Sequence, residues 1–262
     1  MTPKPPVVLL TDFGLQDAYV ASMKGVILSL YPEAKIVDLS HGVEPQNVAQ
    51  AAFLLEAAYR YFPKGSVFVC VVDPGVGSRR RILAARTRQG TFLAPDNGLL
   101  TRVLGREKPH ELRHVTHAGF FLRTISRTFH GRDCFAPTGA RLAKNPGSFS
   151  KLGPRCRSFT RLHLSEPRCV RGRICGEIVY FDHFGNAFTN ISDAFLKTPH
   201  DGRIVVKHKN LGPLRGSYFE SAKGSALAVV SSTGWVEIAV NQGSAREKLH
   251  LKVGDPVEVR LA

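Results

Sequence analysis

Short apolar runs alternate with helical stripes through the first hundred residues, and this pattern limits the chain to few folds. Residues 7–11 (VVLLT) form a compact buried strand. Residues 17–30 carry Val20, Met23, Ile27 and Leu30 at near-helical spacing, and 35–39 are a second strand. Residues 45–61 place Val48, Ala52, Leu55 and Tyr59 on one stripe, and 66–72 (SVFVCVV) form a β-branched third strand. Strand–helix–strand–helix–strand predicts a parallel sheet with right-handed crossovers. Residues 82–85 and 91–94 add strands around a turn at Gln89-Gly90.

From 145 to 173 the pattern breaks into Pro, Gly, Ser and Arg, and beyond it the period becomes two. Residues 176–181, 187–190, 203–207, 226–231, 236–240 and 256–261 are short strands divided by turns. The expected organisation is an α/β domain with a mostly parallel sheet over 1–145, a basic linker over 146–172, and a smaller antiparallel, β-barrel-like domain over 173–262. A chain of 262 residues can fill two cores, and 43% hydrophobic with 22% charged residues fits folded rather than disordered protein.

Several classes of function are disfavoured. No apolar run approaches the roughly 20 residues of a membrane span. The first six residues, with one Lys and no apolar region behind them, do not resemble a secretion signal, so a cytoplasmic protein is expected. Cys70, Cys134, Cys156, Cys169 and Cys175 are odd in number and contain no C-x-x-C pair, which argues against a disulfide framework or a thiolate zinc site. His110, His114 and His117 would share a helical face, but Pro109 points to a strand or loop where they would not converge, so no metal is expected. Net charge is +15, and residues 141–173 hold nine Lys/Arg against Glu166 alone. That stretch lacks the interleaved aromatics of a single-strand binder and any recognition-helix pattern, so it reads as a solvated basic face and nucleic acid is not expected as a partner.

In open α/β sheets ligands sit beyond the carboxyl ends of the strands. Those positions hold Asp12, the pair Ser40-His41, and Asp73. One such acid caps a turn more often than not; two at neighbouring strand ends favour a site. Asp12, in Thr11-Asp12-Phe13-Gly14, can accept hydrogen bonds from vicinal hydroxyls, the way acids hold ribose. Residues 73–78 (DPGVGS) precede Arg79, Arg80 and Arg81 and lack the third Gly of a dinucleotide fingerprint and the Gly-Lys of a P-loop. Residues 128–133 (TFHGRD) set His130 in a proton-handling context. Residues 182–190 (DHFGNAFTN) offer an aromatic face, an amide able to read adenine, and an acid able to pair an ammonium.

Together these strings resemble the SAM (S-adenosyl-L-methionine) hydroxide adenosyltransferases, or SAM hydrolases, relatives of the bacterial fluorinase and chlorinase. The resemblance covers nearly the whole chain. It is carried by TDFG at Thr11, VDPGVGS with RRR at Val72, APDNGLL at Ala94, TFHGRD and FAP at Thr128, FDHFGNAFTNI at Phe181 and AVNQGSA at Ala239. It implies a homotrimer with SAM between neighbouring subunits, releasing adenosine and L-methionine. Carried over residue by residue, it implies a catalytic set of Asp73, Arg80 and His130 and a ribose-binding Asp12. It further implies contacts of Asp17 and Asp182 with the methionine end, and of Phe184, Asn186, Asn241, Ser244 and Ala245 with adenine. In the halogenating relatives the position of Asp73 is a Tyr; an Asp favours water, because a carboxylate repels halide and accepts a proton. The chain departs from the pattern in its Arg-rich 168–173 and in His183, where Arg is commoner.

The reaction implied is in-line attack of water on ribose C5′, with a neutral thioether leaving. Either Asp73 or His130 takes the proton while Arg80 holds Asp73. No cofactor is expected, since the sulfonium is already the electrophile. The alternatives are a SAM-dependent 5′-halogenase and, in another class, a non-catalytic SAM- or adenosine-binding or nucleic-acid-binding protein.

Overall fold

The computed structural model describes residues 4–196 and 202–261. The chain divides into two compact units, Met1–Leu162 and His163–Ala262. The first runs β1 (Val7–Thr11), α1 (Tyr19–Leu30), β2 (Ile36–Ser40), α2 (Val48–Ala58), β3 (Ser66–Val71), β4 (Ile82–Arg86), β5 (Gly90–Pro95), α3 (Thr101–Arg106), β6 (Glu111–His114) and α4 (Ala136–Lys144). Its sheet has the order β2-β1-β3-β5-β4-β6. β1 pairs β2 and β3 in parallel, β3 pairs β5 in parallel, and β4 is antiparallel to both of its neighbours.

β1 and β3 are buried along their whole length, which is why they read as continuous apolar runs rather than alternations. Val7, Leu9, Val67 and Val69 pack with Met23 and Ile27 of α1 and Ala140 of α4. Val8, Leu10, Phe68 and Cys70 pack with Ala51 and Leu55 of α2 and Val103 of α3. Each large aliphatic so buried contributes about 1.5–3 kcal/mol. The chain places β2 on one side of β1 and then crosses over to place β3 on the other. The sheet therefore has its topological switch point at the carboxyl ends of β1 and β3, where a crevice opens between divergent connections.

Three features of this unit are not written in its periodicity. α4 has no broad stripe of large apolar residues. It presents Ala136, Gly139 and Ala140 to the sheet, and a Cβ on Gly139 would overlap the Val69 side chain. α2 begins only at Val48, capped by Asn47 whose side chain accepts from Gln50 N at 2.9 Å, which frees Pro45 and Gln46 for the crevice. Residues 146–162 are fastened to the first unit: Cys156 N donates to Leu112 O at 3.0 Å, Thr160 N to Asp96 Oδ1 at 2.7 Å and Leu162 N to Thr101 Oγ1 at 2.8 Å.

Among the described residues, the strand pairs of the second unit are all antiparallel. Its strands are β7 (Arg168–Val170), β8 (Arg173–Phe181), β9 (Ala187–Ser192), β10 (Gly202–Val206), β11 (Lys209–Pro213), β12 (Ala226–Val230), β13 (Trp235–Val240) and β14 (Pro256–Leu261), with a short α5 (Ala245–Lys248) before the last. They follow the order β11-β10-β14-β8-β9-β13-β12, with β7 on β8. Arg215, just past β11, bridges Val229 of β12, so the sheet curls almost into a barrel. Ile174, Ile178, Ile191, Val236, Ile238, Val257 and Val259 fill its interior. Among the described residues no helix is long and apolar enough to cross a membrane.

Candidate active site

β1 and β3 lie side by side and end together, with Thr11 opposite Val71, so Asp12 and Asp73 emerge at one edge of the sheet. Both line a cavity of about 410 Å³ that also takes in Phe13, Tyr19, Gln46 and His130. Phe13, Tyr19 and Phe129 wall it with mutually tilted rings 5.1–5.8 Å apart.

Asp73, Arg80 and His130 converge although 57 positions separate the first from the last. Arg80 Nε donates to both Asp73 oxygens at 3.0 and 2.9 Å, and Nη2 donates to Oδ2 at 2.5 Å. The same Nη2 lies 2.8 Å from His130 Nδ1. The pair is buried: the Asp73 side chain is 5% exposed and that of Arg80 11%. An arginine can only donate, so Nδ1 of His130 must accept, and the neutral imidazole carries its proton on Nε2. Burial, followed by the charge of Arg80, pushes the His130 pKa below its ordinary 6.5 against the opposing pull of Asp73 and Asp133. His130 is therefore neutral at pH 7.

The loop after β3 can make this approach because Gly77 has φ +77° and sits where a Cβ would strike the Arg127 carbonyl. Asn97 supports it from β5's end, donating from Nδ2 to Val72 O at 2.8 Å. His130 opens a π-helical turn, Gly131–Phe135, that leads into α4; such turns recur at functional sites. Asp133, fully buried, ties the preceding loop to that turn by accepting from Ser126 N at 2.7 Å and Arg132 Nε at 2.6 Å. Burial alone would raise its pKa, but those donors together hold it below the ordinary carboxylate value.

Asp12 Oδ2 accepts from Gln46 N at 2.8 Å, and Gln46 adopts φ +66° to present that N–H. His41 buttresses the same loop: its Nδ1 is 2.7 Å from Thr11 Oγ1, and its carbonyl accepts from Gly14 N at 2.8 Å. Asp17 is exposed, just ahead of α1, and does not line the cavity.

The second unit holds a cavity of about 600 Å³ lined by Asp182, Phe184, Asn186, Tyr218, Glu237 and Asn241, among others. Asp182 Oδ1 accepts from Phe184 N at 2.9 Å and Asn186 N at 2.8 Å, and Oδ2 from Asn186 Nδ2 at 3.0 Å. Phe184 stands 72% exposed at the rim, an aromatic face with little covering it. Asn241 Nδ2 donates to Ser221 O at 2.7 Å. Ser244 caps α5, accepting from Glu247 N at 3.2 Å, and the Ala245 side chain is buried in the apolar core, so only backbone at that position can meet a ligand. His114 ends β6 and His117 follows in a loop; among the described residues no three His, Cys, Asp or Glu gather as a metal site. Gln46, Tyr218 and Glu237 line these cavities although the sequence patterns do not single them out, while Asn97 and Asp133 stand within APDNGLL and TFHGRD with no separate role read for them. The signals available were the run just before a capped helix for Gln46 and the lone acid inside WVEIAV for Glu237.

A carboxylate–guanidinium–imidazole set at a sheet's switch point, with a second carboxylate in the same aromatic-walled cavity, has the composition of an enzyme active site. Residues 7–153 match the SAM hydroxide adenosyltransferase N-terminal domain, and residues 176–258 its C-terminal domain. The chain belongs to the SAM hydroxide adenosyltransferase family. It is 40% identical to the (R)-S-adenosyl-L-methionine hydrolase of Thermus thermophilus, covering 97% of this chain and 99% of that one. It is 36% identical to the protein of the same name from Salinispora tropica, over 99% of both. The fluorinase of Nocardia brasiliensis is further off, at 28% identity over 98% of this chain and 97% of its own. The crystal structure of an uncharacterized conserved protein from Thermotoga maritima superposes with a TM-score of 0.90 at 35% identity, covering 97% of this chain and 99% of that one.

Proposed function

We propose that the chain hydrolyses SAM to adenosine and L-methionine, water attacking ribose C5′ in line with the departing thioether. The observation that carries this reading is that Asp73 and His130, both held by Arg80, line one cavity with Asp12. Asp12 receives the ribose hydroxyls, and Asp73 accepts a hydrogen bond from the attacking water. His130 stands beside that water with Nδ1 taken by Arg80 and its remaining ring N–H drawn also toward the Ser126 backbone. The proton thus passes toward Asp73 rather than His130. Positioning of this kind is worth about 7–11 kcal/mol in the most favourable cases, and general-base help about 10²–10⁴-fold. The reaction requires no redox or metal cofactor, since a sulfonium is already a leaving group. Incubating the purified protein with SAM in halide-free buffer and identifying the nucleoside tests the reading: adenosine supports it, and intact SAM refutes it.

Two further outcomes are expected. Asp12→Ala should weaken SAM and adenosine alike by about 10–100-fold, the worth of charged hydrogen bonds at about 1.5–3 kcal/mol; unchanged affinity in calorimetry would remove Asp12 from the ribose site. The depressed His130 pKa sets the acid limb of the rate. Because His130 must be neutral for Arg80 to donate to Nδ1, kcat should hold from pH 7 down through the ordinary histidine value near 6.5 and fall only below it. His130→Asn should erase that limb.

The groups invoked are divided between the two units, with the ribose and water groups in the first and Asp182, Phe184, Asn186 and Asn241 in the second. The family resemblance implies that such an enzyme works as a homotrimer, and the location expected from the sequence is the cytoplasm. Light scattering giving the mass of three chains supports that assembly, and the mass of one chain rejects it.

A further inference from the structure

Glu237 is a buried carboxyl group that the reaction above does not use. It sits in β13, 2% exposed. Its neighbours Val236 and Ile238 belong to the core of the second unit, so strand alternation turns Glu237 to the other face. That face borders the cavity shared with Asp182, Phe184, Tyr218 and Asn241. The Tyr218 hydroxyl donates to Glu237 Oε1 at 2.6 Å. Among the described residues Oε2 has no hydrogen-bond partner.

Asp182 and Glu237 differ in what surrounds them. Asp182 already accepts two backbone N–H groups and the Asn186 amide. Glu237 has one hydroxyl. Burial pushes its carboxyl above the ordinary range, the Tyr218 bond opposes this, and the charge of Asp182 adds to the rise. Burial also raises the Tyr218 hydroxyl, so it stays a donor. A buried carboxylate beside a second one calls for a cation. SAM carries two cationic centres. The sulfonium is bonded to the reacting carbon, so the nucleophile dictates its place. The α-ammonium of the methionine portion is bound by no such condition, and it has three N–H donors, enough for two carboxylates.

Resting on the reading that the chain hydrolyses SAM, we propose that Glu237 is a specificity-determining residue. Its free Oε2 receives the substrate α-ammonium together with Asp182, and Tyr218 holds the carboxylate in place. The site then selects zwitterionic amino-acid sulfonium nucleosides over those lacking the amino group.

The test measures kcat and KM for SAM and for its analogue without the α-amino group, in the wild-type chain, Glu237→Gln and Tyr218→Phe. Glu237→Gln keeps shape and the Tyr218 contact while removing the charge. It is expected to raise KM for SAM about 10–100-fold, as for a lost charge-assisted bond, with kcat changed by less than a few-fold. The deamino analogue should show the same KM in wild type and Glu237→Gln, which also confirms an intact fold. Tyr218→Phe should give a smaller rise for SAM alone. An unchanged KM for SAM in Glu237→Gln, or equal losses for both ligands, overturns the assignment. A wild-type chain that releases no adenosine from SAM removes the hydrolase reading and this assignment with it.

Discussion

Asp73→Asn is expected to lower kcat for adenosine release by about 10²–10⁴-fold while SAM still binds within a few-fold of wild type. Asn keeps the volume of Asp and can still meet Arg80 through its amide oxygen. It cannot draw a proton from water. The residue stands just past β3, 5% exposed, with both oxygens engaged by Arg80. Its contribution is thus to the reacting water and not to ground-state binding, and kcat should fall without a matching rise in KM. Asp73→Ala should fall at least as far and lose some stability as well, because it leaves a buried guanidinium with no counter-charge. Rapid-quench turnover with calorimetry of SAM binding checks both; turnover at the wild-type rate in Asp73→Asn would take this residue out of the mechanism.

Arg80→Met should be damaging in a second way. It leaves a carboxylate buried without its partner and empties the donor to His130 Nδ1. Breaking a buried pair from one side costs about 3–5 kcal/mol, so thermal unfolding should move down markedly, and kcat should drop because neither Asp73 nor His130 is then held. Arg80→Lys separates the two effects. A lysine keeps the charge, so much of the stability should return. Its single ammonium cannot span two carboxylate oxygens and an imidazole as the planar fork does, so activity should not return. Arg79, exposed next door, is the control: Arg79→Ala should change stability by no more than about 0.5 kcal/mol. Equal effects at positions 79 and 80 would contradict the account.

The fold was legible where burial is two-sided or periodic. β1 and β3 are buried at every position and apolar at all but Thr11 and Ser66, because helices cover both faces, and this marks a parallel sheet from sequence alone. The acids just after them, Asp12 and Asp73, could be read as site residues from topology. Arg80 could be tied to Asp73 only through the family resemblance, since Arg79 and Arg81 are the same residue type and nothing local separates the three. α4 escaped because close packing on Val69 demands small residues, and Ala, Pro, Thr and Gly carry no helical stripe. Glu237 escaped for the opposite reason. In a period-two strand it falls where a solvent-facing residue belongs, and only the curl of the sheet and the Tyr218 segment make that face a cavity wall. The Arg-rich stretch read as a linker is fastened as far as Leu162 by backbone N–H groups whose partners lie about 45–65 positions away, a distance at which no local pattern speaks.

The most direct measurement is turnover of SAM in water enriched in oxygen-18, with mass analysis of the nucleoside. Attack by solvent at C5′ puts one heavy oxygen on the 5′ position of adenosine and none on methionine. Adenosine without the label, or a 5′-halogenated nucleoside formed when chloride or fluoride is supplied, would contradict it.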